Sequence, residues 1–250
     1  MTALGIDAGS RFIKWVLLDG RRIADMGRIS SEGADLRSLP SRLPRAPLAG
    51  LTGYGRHLLR DVFDNFCVVS EISAHAMGAR MLEPGERLLM DVGGQDSKAL
   101  EMDASGKVLD FRVNDRCAAG TGRFLENMAR VMGCDIREMI GEAMGSGESV
   151  EVSSMCAVFA ESEVISLLNR GVGRGAVAKG MFRSLARRLE ALGSFLSPGG
   201  VFAFTGGLSE LDGAWELLST DRMRLKPVKD GAYAGALGAA LSALRGSSSG

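Results

Sequence analysis

The chain has 250 residues, of which 46% are hydrophobic and 24% are charged, fractions that are typical of a globular domain. Its 30 lysines and arginines balance its 30 aspartates and glutamates, so no net field favours nucleic acid or an anionic membrane. No apolar stretch approaches the roughly 20 residues that cross a bilayer, and no signal peptide precedes the first strand pattern. We therefore expect a cytoplasmic protein without nucleic-acid or membrane partners.

The first part of the chain predicts a mixed sheet that carries helices. Strands are predicted at residues 3–7, 12–19 and 22–29. Asp19-Gly20, between the second and the third of them, is a strong signal for a hairpin turn. Beyond Pro47 the pattern predicts a strand in LAGLTGYG, a helix in RHLLRDVFDNF, a strand in CVVS and a helix in EISAHAMGARML.

The strand pattern begins again near Leu88. Three strands are predicted in LLMDVGG, SKALEMD and VLDFRVND. Helices follow in AGTGRFLENMARVM, around residues 135–143, in FAESEVISLLN and in AVAKGMFRSLARRLEALGSFL. The strand VFAFTGG and two closing helices complete the predicted order.

An internal repeat relates the two parts of the chain. GIDAGSRFIKWVLLD and LMDVGGQDSKALEMD both place an aspartate at a strand end, then glycines, then a second strand that carries a lysine. This repeat predicts two lobes of similar design, at residues 1–84 and 85–250. The C-terminal helix is expected to return to the first lobe.

The first strand-end aspartate, Asp7, is a candidate for phosphate chemistry. Its carboxylate can hold a metal-bound water near phosphate, and the turn at Gly9 and Ser10 lets backbone amides approach phosphate oxygens. Lys14 on the following strand adds a positive charge. An ordinary hairpin turn explains this short segment equally well on its own.

The second copy, DVGGQD at residues 91–96, makes the phosphate interpretation stronger. Its glycines give a flexible turn, Gln95 can orient a water molecule, and Asp96 supplies a further acid. A third glycine pair, Gly206 and Gly207, suits close packing against an adenosine. No GxxxxGK motif followed by Ser or Thr is present, so a P-loop is not the source of this chemistry.

These three stations, in this order, resemble the phosphate-1, phosphate-2 and adenosine motifs of the actin-like, sugar-kinase and heat-shock-chaperone ATPase superfamily. The resemblance covers nearly the whole chain. It implies an α/β fold with two actin-like lobes that close on Mg-ATP.

Four cysteines, at positions 67, 117, 134 and 156, are too sparse for a disulfide framework. Cys117 in NDRCAAGTGRFLE and Cys156 in SSMCAVFAESE each stand at the start of a predicted helix, where the helix dipole and the N–H groups favour a thiolate ligand. Cys67 and Cys134 fit better as small buried hydrophobes. Two ligands do not complete a four-cysteine cluster, but a twofold dimer supplies four.

The segments DVGGQDSKAL, NDRCAAGTGRFLE, SSMCAVFAESEVISLL and FTGG resemble the BadF/BadG/BcrA/BcrD ATPases, and especially the activators (component A) of 2-hydroxyacyl-CoA dehydratases. The resemblance implies a homodimer that binds ATP and Mg²⁺ and holds one [4Fe-4S] cluster per dimer through Cys117 and Cys156. It also implies a reduced ferredoxin or flavodoxin as electron donor. The acceptor is then a dehydratase or reductase component that carries its own iron–sulfur cluster.

The same resemblance implies the site residues. The catalytic candidates are Asp7, Gln95 and Asp96, and either Gln95 or Asp96 positions the attacking water. The candidates for nucleotide binding are Gly9, Ser10, Arg11, Lys14, Gly93, Gly94, Gly120, Thr121, Gly122, Glu126, Gly206 and Gly207. Glu126 also fits an i,i+4 pair with Arg130. The family usually has threonine at the position of Arg11, which can contact phosphate or cap the turn.

Three other functions are compatible with these motifs. The chain fits the ATPase subunit of a benzoyl-CoA reductase-type complex, a small-molecule kinase of the same superfamily, or a nucleotide-gated scaffold without redox chemistry. The sequence leaves open which partner is activated, what that partner's substrate is, and whether the dimer is homomeric.

Overall fold

A computed structural model describes residues 1–114, 118–152 and 156–247. The chain divides into two compact units. The first comprises Met1–Arg87, Met102–Leu109 and Val228–Gly250, and the second comprises Leu88–Glu101 and Asp110–Pro227. The lobe limits given above, residues 1–84 and 85–250, stay a prediction.

Strands and helices occur in both units. The strands are β1 (Thr2–Ala8), β2 (Phe12–Asp19), β3 (Arg22–Ser30), β4 (Leu48–Thr52), β5 (Phe66–Val68), β6 (Leu88–Val92), β7 (Ser97–Met102), β8 (Val108–Val113), β9 (Val201–Gly206) and β10 (Arg224–Pro227). The α-helices are α1 (Leu39–Arg42), α2 (Glu71–Leu82), α3 (Gly122–Val131), α4 (Ile136–Gly145), α5 (Ala157–Asn169), α6 (Arg174–Ser194), α7 (Ala214–Leu218) and α8 (Ala234–Ser247). Short 3₁₀ helices lie at Leu36–Ser38, Tyr54–His57, Ala118–Gly120, Gly207–Glu210 and Gly231–Tyr233. Within the described ranges, no helix is both long enough and apolar enough to cross a membrane.

The two sheets share one strand order. The first reads β3-β2-β1-β4-β5 and the second reads β8-β7-β6-β9-β10. In each sheet the central strand, β1 or β6, is antiparallel to its hairpin partner and parallel to the strand on its other side. The repeat seen in the sequence therefore corresponds to a repeated strand order.

Most of the predicted elements are present, and the long helix α6 shows why. Its residues Val177, Met181, Leu185 and Leu189 recur every four positions, and each is at most 1% exposed. This spacing places them on one face of a helix, which packs into the core of the second unit. Amphipathic spacing over some 20 residues is the strongest helix signal that a sequence carries.

The helix predicted in RHLLRDVFDNF is wrong. Only the 3₁₀ helix Tyr54–His57 forms there, and turns with i to i−3 hydrogen bonds continue beyond it. Asp61 and Asp64 favour turns, and Asn65 adopts a left-handed backbone with φ of 49°. These residues end the helical pattern that the leucines suggested. Strand β10 was also not expected, because four residues ending in a proline give almost no strand signal.

Helix α8 lies on the first sheet at backbone contact distance. A Cβ atom added to Gly5 on β1 would lie 1.9 Å from Ala236 O, and one added to Gly50 on β4 would lie 1.9 Å from Ala239 O. The contact between α8 and α2 is equally close, because a Cβ on Gly238 would lie 1.8 Å from the carbonyl oxygen of Ala74. Glycine is therefore required where α8 meets its neighbours.

We predict that Gly238→Ala lowers the free energy of unfolding by at least about 2 kcal/mol, because the two helices must separate to admit the methyl group. Gly246→Ala is the matched control in the same helix, since a Cβ there meets no atom within 4 Å. The control should be neutral or slightly stabilising. Urea denaturation of both variants measures the difference, and equal stabilities would contradict the close packing of α8.

Candidate functional site

In the first unit, Asp7 at the carboxyl end of β1 is the centre of a buried polar group. It lies opposite Lys14 on β2 and beside Thr52 on β4, so the three side chains share one face of the sheet. His75 of α2 lies on the same face, with Nε2 4.0 Å from Asp7 Oδ2, and both side chains are more than nine-tenths buried. A Cβ on Gly235 would lie 2.8 Å from both of these atoms.

The predicted phosphate-binding residues Gly9 and Ser10 lie in the turn that follows Asp7. The Gly9 N–H donates to the Asp7 carbonyl at 3.0 Å, and the Ser31 hydroxyl donates to the Gly9 carbonyl at 2.7 Å. Ser10 is half-buried beside them. The residue that follows β3 therefore braces the turn from outside.

Arg11 is turned toward the surface of this unit. Its guanidinium lies 5.7 Å from the centroid of the Phe12 ring and 3.8 Å from a carboxylate oxygen of Glu32. The Arg11 guanidinium is thus engaged beside the turn. A phosphate contact by Arg11 stays a prediction.

In the second unit, Asp91 at the carboxyl end of β6 occupies the position that corresponds to Asp7. It lies opposite Lys98 on β7 and beside Thr205 on β9. The Thr205 hydroxyl donates to Asp91 Oδ1 at 2.9 Å, and Lys98 Nζ lies 3.7 Å from Asp91 Oδ2. Lys98 Nζ also donates to Asp96 Oδ1 at 2.6 Å. Lys98 and Asp91 are 3% exposed at their side chains, whereas Asp96 is 32% exposed.

The predicted turn of the second phosphate station joins Asp91 to Asp96. The Gly93 N–H donates to the Asp96 carbonyl at 2.9 Å, and a Cβ on Gly93 would lie 2.9 Å from that same oxygen. Gly94 is half-buried within the turn, and Gln95 is exposed at its tip. Glycine at position 93 thus permits the tight turn that carries Gln95 and Asp96.

The predicted adenosine residues Gly206 and Gly207 differ in their surroundings. Gly206 has φ of 90°, and a Cβ there would lie 2.2 Å from the Val92 carbonyl oxygen. A Cβ on Gly207 would meet no atom within 4 Å. Gly206 is therefore needed for the contact between β9 and β6, while only Gly207 borders open space.

The start of α3 is fixed to the second phosphate station. The Gly122 N–H donates to the Gly93 carbonyl at 2.9 Å, and the buried Ser97 hydroxyl donates to the Gly120 carbonyl at 2.7 Å. Thr121, fully buried, is the N-cap of α3. Glu126 is half-buried on the same helix. Within this unit the structure thus brings together the predicted residues of the turn and those at the start of α3.

Cys156 stands at the N-cap of α5 and is exposed. The second predicted cluster ligand, Cys117, lies outside the described residues. Cys67 and Cys134 pack as half-buried members of the hydrophobic clusters. Burial raises the pKa of the Cys134 thiol, whose Sγ lies 3.5 Å from the Ala129 carbonyl oxygen. In the part of the chain that the structure describes, no three His, Cys, Asp or Glu side chains form a group that could hold a metal ion.

Several residues of the two stations were not among the sequence candidates. Lys98 had a signal, because it repeats the position of Lys14 relative to the strand-end aspartate. Thr52-Gly53 and Thr205-Gly206 repeat in the same way, and Gly53, like Gly206, has a positive φ. No signal in the sequence indicates the contact of Gly235 with Asp7, because it depends on how α8 packs.

The family model described as the BadF/BadG/BcrA/BcrD ATPase family matches residues 45–243. The chain belongs to this family. The resemblance that the motifs indicated is thereby confirmed.

Two curated relatives of this family member cover nearly its whole length. The (R)-2-hydroxyglutaryl-CoA dehydratase activating ATPase of Acidaminococcus fermentans is 35% identical, and the match covers 97% of this chain and 96% of the relative. The 2-hydroxyisocaproyl-CoA dehydratase activator of Clostridioides difficile is 36% identical, with 97% and 95% covered.

Solved structures of the same two kinds of activator are also similar. Component A of the A. fermentans dehydratase has a TM-score of 0.89 at 33% identity, with 99% of each chain covered. The C. difficile activator with bound ADPNP has a TM-score of 0.87 at 33% identity, with 100% of this chain and 96% of that chain covered. A ROK family glucokinase from Streptomyces griseus has a TM-score of 0.59 at 17% identity over 98% of this chain and 100% of that one, a likeness of fold alone. The predicted actin-like α/β fold, with two lobes, is confirmed.

We predict that Cys156 reacts with iodoacetamide at least about tenfold faster than Cys134 in metal-free protein, because thiolate fraction and access govern alkylation. Cys134 is half-buried and its thiol pKa is raised by burial, whereas Cys156 is exposed. Mass spectrometry of the two peptides over time gives both rates. Denatured protein is the control, in which the difference in rate should disappear. Equal rates in folded protein would contradict an exposed Cys156 beside a half-buried Cys134.

Proposed function

We propose that the chain is an ATP-dependent activator that passes low-potential electrons from reduced ferredoxin or flavodoxin to an acyl-CoA dehydratase or reductase. The observation that carries the proposal is the exposed cysteine at the start of α5 in a member of this ATPase family. The names of both curated relatives, which are dehydratase activators, support the choice of partner. This partner would carry an iron–sulfur cluster of its own.

The residues around Cys156 fit a [4Fe-4S] cluster. The thiol stands where the first N–H groups of a 13-residue helix have no intrahelical acceptor, so they can donate to cluster sulfur. Each chain would supply Cys156 and Cys117, and two chains would supply the four thiolates. When bound, the cluster would accept one electron from the donor and release it to the partner.

The surface beside Cys156 supports a homodimer. Val158 and Phe159, in the first turn of α5, are each 69% exposed, and Ile165 farther along the helix is 44% exposed. Large apolar side chains clustered on a helix surface mark protein interfaces. Pairing of this face with a second copy would bury them and bring the two Cys156 thiols toward one axis.

For nucleotide chemistry we assign Asp7 to a water bound to Mg²⁺, and either Asp96 or Gln95 to the attacking water. Carboxylate oxygens are preferred partners of magnesium and its water shell. The Gly9 and Gly93 N–H groups already donate within their turns, so other N–H groups of these two turns would bind phosphate oxygens. Gly207, beside open space, would border the adenosine.

Ser97 provides a physical link between the nucleotide residues and the cluster segment. It lies between Asp96 and Lys98 in the chain, its hydroxyl donates to the Gly120 carbonyl, and its N–H donates to Asn114 Oδ1 at 2.7 Å. Asn114 and Gly120 flank the segment that contains Cys117. A displacement of the Asp96 turn would therefore be transmitted to both sides of that cysteine.

The first prediction of this function concerns iron. Protein prepared or reconstituted without oxygen should contain about four iron atoms per dimer, following the four-thiolate rule. Cys156→Ser should lose the iron while it keeps its fold, and Cys134→Ser is the matched control that should retain it. Iron analysis combined with the mass in solution gives the stoichiometry.

Other outcomes distinguish the alternatives. About four irons per monomer would contradict a shared cluster. Iron-free protein that consumes ATP only when a sugar or an acid acceptor is added would indicate a small-molecule kinase. A partner that works only as part of a fixed complex with this chain would indicate a subunit of the benzoyl-CoA reductase type.

The second prediction concerns coupling through Ser97. In the wild type, ADPNP with Mg²⁺ should change the rate at which a chelator removes iron, because Ser97, beside Asp96, is bonded to Asn114 and Gly120, which flank Cys117 in the sequence. Ser97→Ala removes the hydroxyl bond to Gly120 and keeps the backbone bond to Asn114, so it should move the ratio of the two rates toward one, with a stability loss of about 1 kcal/mol. Ser194→Ala, which removes a hydroxyl bonded to the Glu190 carbonyl at 2.7 Å, is the control.

A ratio that is unchanged in Ser97→Ala, with nucleotide binding verified by calorimetry, would exclude the hydroxyl link from Ser97 to Gly120. A wild type whose rates are equal with and without nucleotide would exclude coupling as a whole.

A further inference from the structure

Lys98, the lysine of the second station, has different neighbours from those that its sequence position suggests. Lys98 repeats Lys14, which is a candidate phosphate ligand, and the same role is the simplest expectation for it. The structure instead places Lys98 Nζ 2.6 Å from Asp96 Oδ1 and 3.7 Å from Asp91 Oδ2, with the lysine side chain 3% exposed. Its ammonium lies between two carboxylates of its own unit.

The three charged groups form a graded series from core to surface. Asp91 is buried and accepts a hydrogen bond from Thr205, so its position is fixed by the two central strands β6 and β9. Lys98, in register with Asp91, is fixed in turn on β7. Asp96 is about one-third exposed and contacts the ammonium through Oδ1. The partly exposed carboxylate of Asp96 is thus bonded to the buried ammonium of Lys98.

We infer that Lys98 is a positioning residue for Asp96, and that Asp96 rather than Gln95 orients the attacking water. This inference rests on the proposed ATPase function. A charge-assisted hydrogen bond at 2.6 Å restricts the carboxylate to one orientation, which leaves Oδ2 outside this hydrogen bond and able to face a water molecule. Gln95 is exposed at the tip of the turn and has a long, flexible side chain.

A purely structural role of Lys98 would be to neutralise the buried Asp91. The two roles are separable, because the double variant Asp91→Asn with Lys98→Met removes both buried charges together. The amide oxygen introduced by Asp91→Asn can still accept the hydrogen bond from the Thr205 hydroxyl. Methionine keeps an unbranched apolar side chain in place of the lysine methylene groups. Lys98→Met alone leaves Asp91 without its cation and can fail to fold. The double variant is therefore the decisive one.

The test measures steady-state ATP hydrolysis, binding of ADPNP by calorimetry, and thermal unfolding of every variant. For the double variant we expect folded protein with kcat lowered by roughly 10²-fold, and with KM for ATP and Kd for ADPNP within about threefold of the wild type. Asp96→Asn should show a similar loss of kcat. Adding Lys98→Met and Asp91→Asn to Asp96→Asn should change kcat by no more than about twofold, because the residues act as one unit. Lys107→Met, at an exposed lysine, should match the wild type.

Two results would overturn the inference. One is a folded double variant with the kcat of the wild type, which would leave Lys98 a structural role only. The other is an Asp96→Asn variant that keeps full kcat. That result would overturn the inference whether or not the Lys98 variants fold. Wild-type protein that hydrolyses no ATP, alone or with its partner, would instead contradict the proposed function itself.

Discussion

Both sheets bury an aspartate at the end of their central strand, and the residues around it are constrained by that buried charge. Each lies in register with a lysine on the antiparallel neighbour and a threonine on the parallel neighbour. A buried carboxylate is tolerable only with cations and hydrogen-bond donors beside it, so each copy fixes the residues around it. The glycines that follow the two threonines, Gly53 and Gly206, have positive φ and lie against the strands that carry Asp7 and Asp91. The order of the strands therefore determines which side chains surround each buried aspartate.

The contacts of the buried aspartate differ between the two copies. In the first unit a histidine of α2 lies beside Asp7, and Gly235 of α8 leaves the space that both side chains occupy. In the second unit the Thr205 hydroxyl donates a hydrogen bond to Asp91, and the Lys98 ammonium forms an ion pair with the same carboxylate. Asp91 is therefore held by its own unit, and Asp96 on the adjacent turn is the more exposed acid. The greater exposure of its carboxylate explains why our assignment gives Asp96, and not Asp91, to water in the second station.

Sequence patterns were sufficient for those features that depend on neighbours along the chain. The hairpins, the long helix α6 and the glycine turns after Asp7 and Asp91 are local signals, and each of these elements formed as predicted. Features that depend on tertiary packing were not accessible. The leucines near residue 58 fit a helix, but the turn-forming Asp64 and Asn65 decide the local structure. Spacing alone shows that Lys98 repeats Lys14, but it does not reveal that two carboxylates lie beside Lys98.

Strand β7 contacts both Asp96 and the residues Asn114 and Gly120, and strand geometry explains how. Side chains alternate between the two faces of a strand, so Lys98 points to one face and Ser97 to the other. Lys98 holds Asp96, while Ser97 bonds to Asn114 and Gly120 on either side of the segment with Cys117. These contacts are well defined because Ser97 and Lys98 are almost completely buried. A change at Asp96 when nucleotide binds or is hydrolysed therefore has a short path, through the backbone and two hydrogen bonds, to the residues that flank the proposed cluster ligand. No long-range rearrangement within this unit is needed for the coupling that we propose.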